Sequence, residues 1–278
     1  MISGNARIAG VMGWPVDHSR SPRLHNHWLA RHKIDGAYVP FSVAPEQLEG
    51  AVRGLPALGF AGANVTIPHK EAVIPFLDDV GPAAARIGAV NTIVVRDGLL
   101  HGSNTDGFGF LENLKVGAPT WRADAGPAVV VGAGGAAKAV AWSLIDAGVP
   151  AVCLVNRTRS RAEALAQALG ASASVADWDA RADALEGAAL VVNTTALGMT
   201  GQPALDLDLA ALPSSAVVND IVYQPTETSL LAAARARGHL AVEGIGMLLH
   251  QARPGFRAWF GVDPVVDADL RQHVLAAD

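Results

Sequence analysis

Hydrophobic positions along this chain fall into two rhythms: short unbroken apolar runs, and longer stretches where apolar residues recur every three or four positions. The first predicts buried strands and the second amphipathic helices. Strands are expected at 7–11, 37–41, 62–65, 89–95 and 99–103, and helices at 21–32, 45–54, 70–77 (interrupted at Pro75) and 106–114. Ser21 reads as the N-cap of its helix, with Pro22 in the first turn. Asp97-Gly98 lies between the last two strands and signals a tight hairpin.

Residues 115–126 are rich in Gly, Pro and Ala, lack periodicity, and mark the expected domain junction. Beyond them the alternation is stricter. Strands are expected at 128–131, 151–155, 190–193, 217–220 and 239–243, with helices at 136–147, 160–169 and 228–237. A helix at 247–260, interrupted by Pro254, and an acidic tail helix close the chain. Continuous apolar strands alternating with helices imply a parallel sheet covered on both faces. The expected fold is therefore α/β: an N-terminal α/β substrate-binding domain at 1–115, completed by helices in 247–278, and a doubly wound, Rossmann-type domain at 116–246.

Charge narrows the function classes. The net charge is −5 with no basic run, which leaves little to neutralise a phosphate backbone, so no nucleic-acid partner is expected. The longest apolar region, 128–155, is broken by Lys138, Asp146 and Pro150 and falls short of a membrane span. The single cysteine, Cys153, cannot close an internal disulfide, and the first residues lack a signal-peptide pattern; a cytoplasmic protein is expected. The histidines show no zinc-site spacing, so no metal is expected.

After the strand at 128–131 comes Gly132-Ala133-Gly134-Gly135-Ala136-Ala137, then a helix. This matches the dinucleotide fingerprint: Gly132 for the turn, Gly134 for close approach of a pyrophosphate, Ala137 for helix–sheet packing. The helix start adds free N–H donors and partial positive charge. The next strand ends in Asn156-Arg157-Thr158-Arg159-Ser160-Arg161, with no acid where a ribose 2′-hydroxyl would need one. A guanidinium binds a 2′-phosphate in a fork, so NADP is the expected cofactor, with Arg157 as principal ligand and Asn156, Thr158 and Arg161 around it.

Four polar segments occupy loop or helix-start positions: 17–22, 64–70, 89–92 and 104–107. Their hydroxyls and amides suit a polyhydroxylated ring acid. Gly13-Trp14-Pro15 running into His18-Ser19-x-Ser21-Pro22, Asn64-Val65-Thr66-x-Pro68-x-Lys70, Gly88-Ala89-Val90-Asn91-Thr92, Asn104-Thr105-Asp106-Gly107, the Gly132 loop, Asn156-Arg157-Thr158, Asp220-x-x-Tyr223 and Gly246-Met247-Leu248-x-x-Gln251 follow in order. In these spaced motifs, covering nearly the whole chain, the sequence closely resembles the shikimate/quinate dehydrogenase family. Ala196, where a serine is common, and Lys138, where arginine is usual, depart from the family pattern on the cofactor side.

The resemblance implies Lys70 and Asp106 as the catalytic pair, and Ser19, Ser21, Thr66, Asn91, Tyr223 and Gln251 as substrate ligands with Asn64 nearby. It implies Ile221, Gly246 and Met247 beside the nicotinamide, with Gly132, Ala133, Gly134, Gly135 and Ala136 on the phosphates. The expected activity is reversible NADPH-dependent reduction of 3-dehydroshikimate to shikimate. Hydride arriving at a carbonyl carbon leaves negative charge on oxygen, which an ammonium can polarise and protonate while a carboxylate orients it. A quinate or dual-substrate dehydrogenase is the alternative, and a non-catalytic metabolite sensor a further one. The active site is expected in a cleft between the domains, in a monomer or homodimer.

Overall fold

The computed structural model describes residues 2–276. It divides into two compact units, Met1–Thr105 with Gln251–Asp278, and Asp106–His250.

The first unit carries a mixed sheet of β1 (Arg7–Gly13), β2 (Gly36–Ser42), β3 (Phe60–Val65), β4 (Asp79–Val80), β5 (Thr92–Arg96) and β6 (Leu99–Ser103). Their order is β2-β1-β3-β5-β6-β4. β1 runs parallel to β2 and β3, whereas β5 pairs antiparallel with β3 and β6. The Asp97-Gly98 turn joins β5 to β6 with φ of 52° and 80°, the double left-handed conformation that a tight hairpin requires. Helices α1 (Ser21–Arg31), α2 (Leu48–Gly54), α3 (His69–Ala72) and α4 (Pro82–Ile87) connect the strands.

Two local expectations need correction. Ser21 is the first helical residue and Arg20 holds the cap position, where a guanidinium, having no acceptor, cannot cap; Ser19 Oγ accepts from Ser21 N at 3.3 Å. Residues 89–91 form a loop, since Ala89 N and Val90 N donate to Ala84 O and Lys70 O rather than to a strand ladder. The interruption expected at Pro75 is present: α3 gives way to a 3-10 turn at Ile74–Phe76 that contains Pro75, which has no N–H to continue an α-helix.

The second unit opens with α5 (Asp106–Gly117), ahead of the composition-marked junction at 115–126. A Cβ at Gly107 would stand 3.0 Å from Ser143 Cβ and 3.2 Å from Ala139 O, so glycine there lets α5 lie close against α6 (Gly135–Asp146). Phe110 and Leu114 are fully buried in the same core. Strands β7 (Ala128–Val131), β8 (Val152–Val155), β9 (Ala173–Ala176), β10 (Leu190–Asn193), β11 (Val217–Asp220) and β12 (Leu240–Val242) pair in parallel in the order β12-β11-β10-β7-β8-β9. This is the doubly wound arrangement, with its order reversing between β7 and β10. Along β7 the side chains alternate: Ala128 and Val130 join one core with α5, α6 and α7 (Arg159–Leu169). Val129 and Val131 join another with α8 (Ser229–Ala236) and Leu205, Leu207, Leu209 and Leu212. β9 escaped the periodicity because its sequence, Ala-Ser-Val-Ala, is short, built of small residues and broken by a serine.

α9 (Ile245–Phe260) is one continuous helix through Pro254 rather than the interrupted one expected. Phe256 and Trp259, on the turns after the proline, are fully buried, and the Trp259 indole donates to Ile93 O at 2.9 Å. This packing offsets the single backbone bond that proline removes. α10 (Ala268–Leu275) starts at Asp267, whose carboxylate accepts from Leu270 N at 3.0 Å. Among the described residues, no helix is long and apolar enough to cross a membrane.

Candidate active-site residues and dinucleotide pocket

In the first unit, strand ends and helix starts gather polar side chains that are buried but bonded. Asn64, at the end of β3, donates through Nδ2 to Asn91 O (3.0 Å) and Thr92 Oγ1 (3.1 Å), and its Oδ1 accepts from the Tyr38 hydroxyl at 2.6 Å. Asn91 Oδ1 accepts from Thr92 Oγ1 and Thr105 N, both at 2.9 Å. Its Nδ2 donates to Thr105 Oγ1 at 3.0 Å and to Gln251 Oε1 at 3.4 Å. Gln251, remote in sequence, thus lies against Asn91 and Thr105. Ser21 is buried at the start of α1 and Ser19 half-buried in the preceding turn.

Gly13, at the end of β1, brings Thr66 close: a Cβ there would stand 2.6 Å from Thr66 Cγ2. Thr66 N is held by Met12 O at 2.9 Å. Lys70 is half-buried in α3, and its carbonyl accepts from Val90 N at 2.8 Å, tying α3 to the loop that presents Asn91. Sequence reading missed Tyr38, Thr92 and Thr105 as members of this cluster. Tyr38 lies inside the strand expected at 37–41, and the two threonines lie inside recognised motifs, so no local signal singles them out. Burial pushes the Tyr38 phenol well up, against a smaller opposing effect of the neighbouring Ser21 hydroxyl. His25 stacks on Tyr38 with ring centroids 4.0 Å apart, and burial pushes it down to about 3, against a smaller opposing effect of the neighbouring Asn64.

In the second unit a cavity of about 230 Å³ opens at the sheet's reversal point, between the loops that follow β7 and β10. Gly132, Ala133 and Gly134 form one wall and Thr194 to Leu197 the other. Gly132 has φ of 120°, and a Cβ there would stand 2.4 Å from Thr194 Oγ1, so both backbone and space demand glycine. Gly134 caps α6 with open space where a Cβ would project, and no acid occupies the first turn of the helix. Gly135 and Ala136 are its first helical residues. Free amides, a helix start and an open cradle fit the pyrophosphate of a dinucleotide.

Asn156 and Arg157 line the same cavity; Thr158 and Arg161 do not. Thr158 is the cap residue of α7, and its carbonyl accepts from Asn156 Nδ2 at 2.8 Å. Arg159 is bound to Glu163 at 2.7 Å and to Asp177, whereas among the described residues no ion pair engages Arg157 or Arg161. Both are exposed. Trp178 and Gln202 complete the lining and were missed, because the strand leading to Trp178 was missed. The Trp178 ring rests on the Arg181 guanidinium, 5.0 Å from its centroid.

Asp220, at the end of β11, joins the pocket to the segment carrying Ile221 and Tyr223. Its carboxylate accepts from Asn193 Nδ2 (2.9 Å), Val222 N (3.0 Å) and Thr228 Oγ1 (2.7 Å). Burial raises its pKa, and these hydrogen bonds oppose the rise. Asn193 in turn holds Thr195 N (3.0 Å) and Leu197 O (3.0 Å), fixing the second cavity wall. Tyr223 is half-buried. Gly244 lies against the Ile221 carbonyl, 2.3 Å from where its Cβ would be, and Ile221 and Met247 share one apolar cluster. A Cβ at Gly246 would overlap Asn113 Oδ1 at 1.8 Å. Asp106 is buried as the first residue of α5. Among the described residues, no group of three or more His, Cys, Asp or Glu side chains is placed to hold a metal ion.

Comparison with known proteins agrees with this layout. Residues 11–93 match the family profile "Shikimate dehydrogenase substrate binding domain", and 121–199 match "Shikimate / quinate 5-dehydrogenase". A shikimate dehydrogenase (NADP(+)) of Paramagnetospirillum magneticum is 63% identical over 276 residues, 99% of this chain and 100% of that one. Among solved structures, the Thermus thermophilus shikimate 5-dehydrogenase in complex with NADP(H) and shikimate superposes with a TM-score of 0.86 at 38% identity, covering 96% of this chain and 98% of that one. A quinate dehydrogenase from Corynebacterium glutamicum in complex with NAD superposes with 0.87 at 34% identity, covering 97% and 99%. With full-length identity of this order and both profiles matched in sequence order, the chain belongs to the shikimate dehydrogenase family.

Proposed function

We propose that the chain catalyses the reversible NADPH-dependent reduction of 3-dehydroshikimate to shikimate, a step toward the aromatic amino acids. The observation that carries this reading is the buried, uncharged amide and hydroxyl cluster around Asn64 and Asn91, beside the segment bearing Lys70. Such a cluster suits ring hydroxyls, which need donors and acceptors without a competing charge. Ser19 and Ser21 hold the ring carboxylate; Asn64, Thr66, Asn91 and Gln251 hold the ring hydroxyls; Tyr223 is a further ligand of the ring acid.

NADPH, when bound, supplies the hydride. Lys70 stands as an ammonium at the carbonyl oxygen, offsets the charge that develops there and gives it a proton. Asp106 accepts a hydrogen bond from the same hydroxyl and keeps it oriented. Gly132 to Ala136 take the pyrophosphate, and Asn156, Arg157, Thr158 and Arg161 take the 2′-phosphate. Ile221, Gly246 and Met247 border the nicotinamide and exclude water. The absence of any acid between Val155 and Arg161, with two guanidiniums that no ion pair engages among the described residues, favours NADP over NAD.

A second reading, oxidation of quinate, is favoured by one observation: the likeness to the Corynebacterium quinate dehydrogenase. Quinate carries a tertiary hydroxyl beside its carboxylate, so the Ser19–Ser21 region must discriminate. Steady-state rates with both acids and both cofactors decide the matter. Shikimate with NADP is expected to dominate, and a clear preference for quinate with NAD would overturn the assignment. The ring acid and NADP(H) are the partners, without nucleic acid or membrane, in a soluble cytoplasmic monomer or homodimer.

A further inference from the structure

α1 begins between two proposed carboxylate ligands without a side-chain cap. Arg20, the residue between Ser19 and Ser21, would be the natural partner for a ligand carboxylate. Its guanidinium is engaged elsewhere: Nη1 donates to Val274 O at 3.1 Å and Ala276 O at 3.0 Å, the carbonyl end of α10. Arg23 joins it on Ala276 O at 2.7 Å. Farther along α1, His27 meets Asp269 at 3.2 Å and Arg31 meets Asp267 at 2.6 Å. Positions 20, 23, 27 and 31 share one helical face, and their partners run backwards from 276 to 267, so α10 lies antiparallel along α1. Leu270 and Val274 are fully buried. Cations at the last carbonyls of a helix are favourably placed, which gives this latch its sign.

We propose that α10, acting through Arg20, is a positioning element for the Ser19–Ser21 turn and so sets affinity for the ring acid. The latch does two things. It fixes the backbone from which both hydroxyls project, with Ser19 N on Val16 O at 2.9 Å and Ser21 N on Ser19 Oγ at 3.3 Å. It also keeps a guanidinium out of the carboxylate's reach, leaving recognition to two neutral hydroxyls. Arg20 is a positioning residue here, not a ligand. The inference rests on the reading above that Ser19 and Ser21 bind the carboxylate.

The test measures the KM for shikimate, the KM for NADP, kcat and the thermal midpoint in the full chain. Arg20→Ala is expected to raise the shikimate KM about tenfold, with kcat and the NADP KM within about twofold, and Arg20→Lys to restore most of the loss. Leu270→Ala, which loosens α10 without touching Arg20, is expected to raise the same KM, and the double variant to be no worse than the poorer single one. Leu231→Ala, in the core of the other unit, is the stability control: its midpoint falls while the shikimate KM holds. An unchanged KM in Arg20→Ala, or an equal rise in Leu231→Ala, overturns the proposal. If Leu270→Ala fails to fold, the Arg20 pair alone still decides. Ser21→Ala separates the two layers: if it raises KM and Arg20→Ala does not, only the latch fails, and if neither does, the carboxylate assignment falls with it.

Discussion

The proposed function gives Lys70 and Arg157 different parts of the chemistry, and single substitutions separate them. Lys70→Ala removes the proton donor while every dinucleotide contact remains, so turnover is expected to fall by roughly 10²–10⁴-fold. NADPH affinity, measured by fluorescence titration, should stay within about threefold; near-normal turnover would refute the assigned role. Arg157→Ala removes a charge-assisted fork and should weaken NADPH binding by about 10–100-fold while leaving NADH binding nearly unchanged. Isothermal titration with the two cofactors checks this. Arg157 was legible because its strand ends without an acid. Which of the three clustered arginines are free was not legible: Arg159 is consumed by Asp177 and Glu163, partners 18 and 4 positions away.

Elements were legible in proportion to how completely they are buried. β7, β8, β10 and β11 are apolar runs covered on both faces, so local composition carries their signal. β4, β9 and α4 are short or built from small residues, and for the two strands pairing with neighbours rather than side-chain pattern makes them regular. The β7–α6 turn is where element and function meet. Gly132→Ala would drive a Cβ into Thr194 Oγ1 from a left-handed backbone, and the loop must shift to relieve it. NADPH affinity is expected to drop at least about tenfold. Gly134→Ala, with open space at its Cβ, should leave the thermal midpoint nearly unchanged, yet it too should weaken NADPH binding. Differential scanning calorimetry with cofactor titration distinguishes these two failures, and a Gly132→Ala protein with unaltered affinity would contradict the phosphate-cradle assignment.

At the scale of the whole chain, two buried groups, one in each unit, should respond to acid with opposite sign. His25 in the first unit has a pKa pushed from 6.5 down to about 3 by burial, so between those values the unfolded chain binds a proton that the folded unit does not. Stability is full above about pH 6.5 and falls as pH drops, on the order of 1 kcal/mol per pH unit. Asp220 in the second unit has a raised pKa, so as pH falls through that range it binds a proton more readily folded than unfolded and works the other way. Limited proteolysis across pH 7 to 4 should therefore cut the first unit first, and His25→Phe should flatten the acid dependence. An unchanged acid slope in that variant would remove His25 from the account.

Within short windows of sequence, steric and hydrogen-bonding rules are self-sufficient. A Gly-rich turn between an apolar strand and a helix, an Asp-Gly hairpin, a strand end without an acid, and the alternation that implies a parallel sheet could all be read there. The doubly wound domain and its cofactor class were accordingly legible before any coordinates. Folding alone brought Gln251 beside Asn91, 160 positions earlier, and paired Arg20 with carbonyls more than 250 positions away. It also moved α5 into the second unit by the fit of Gly107 against α6. Such contacts depend on surfaces meeting in three dimensions, where close packing and the need to satisfy buried polar groups select partners that no local pattern encodes.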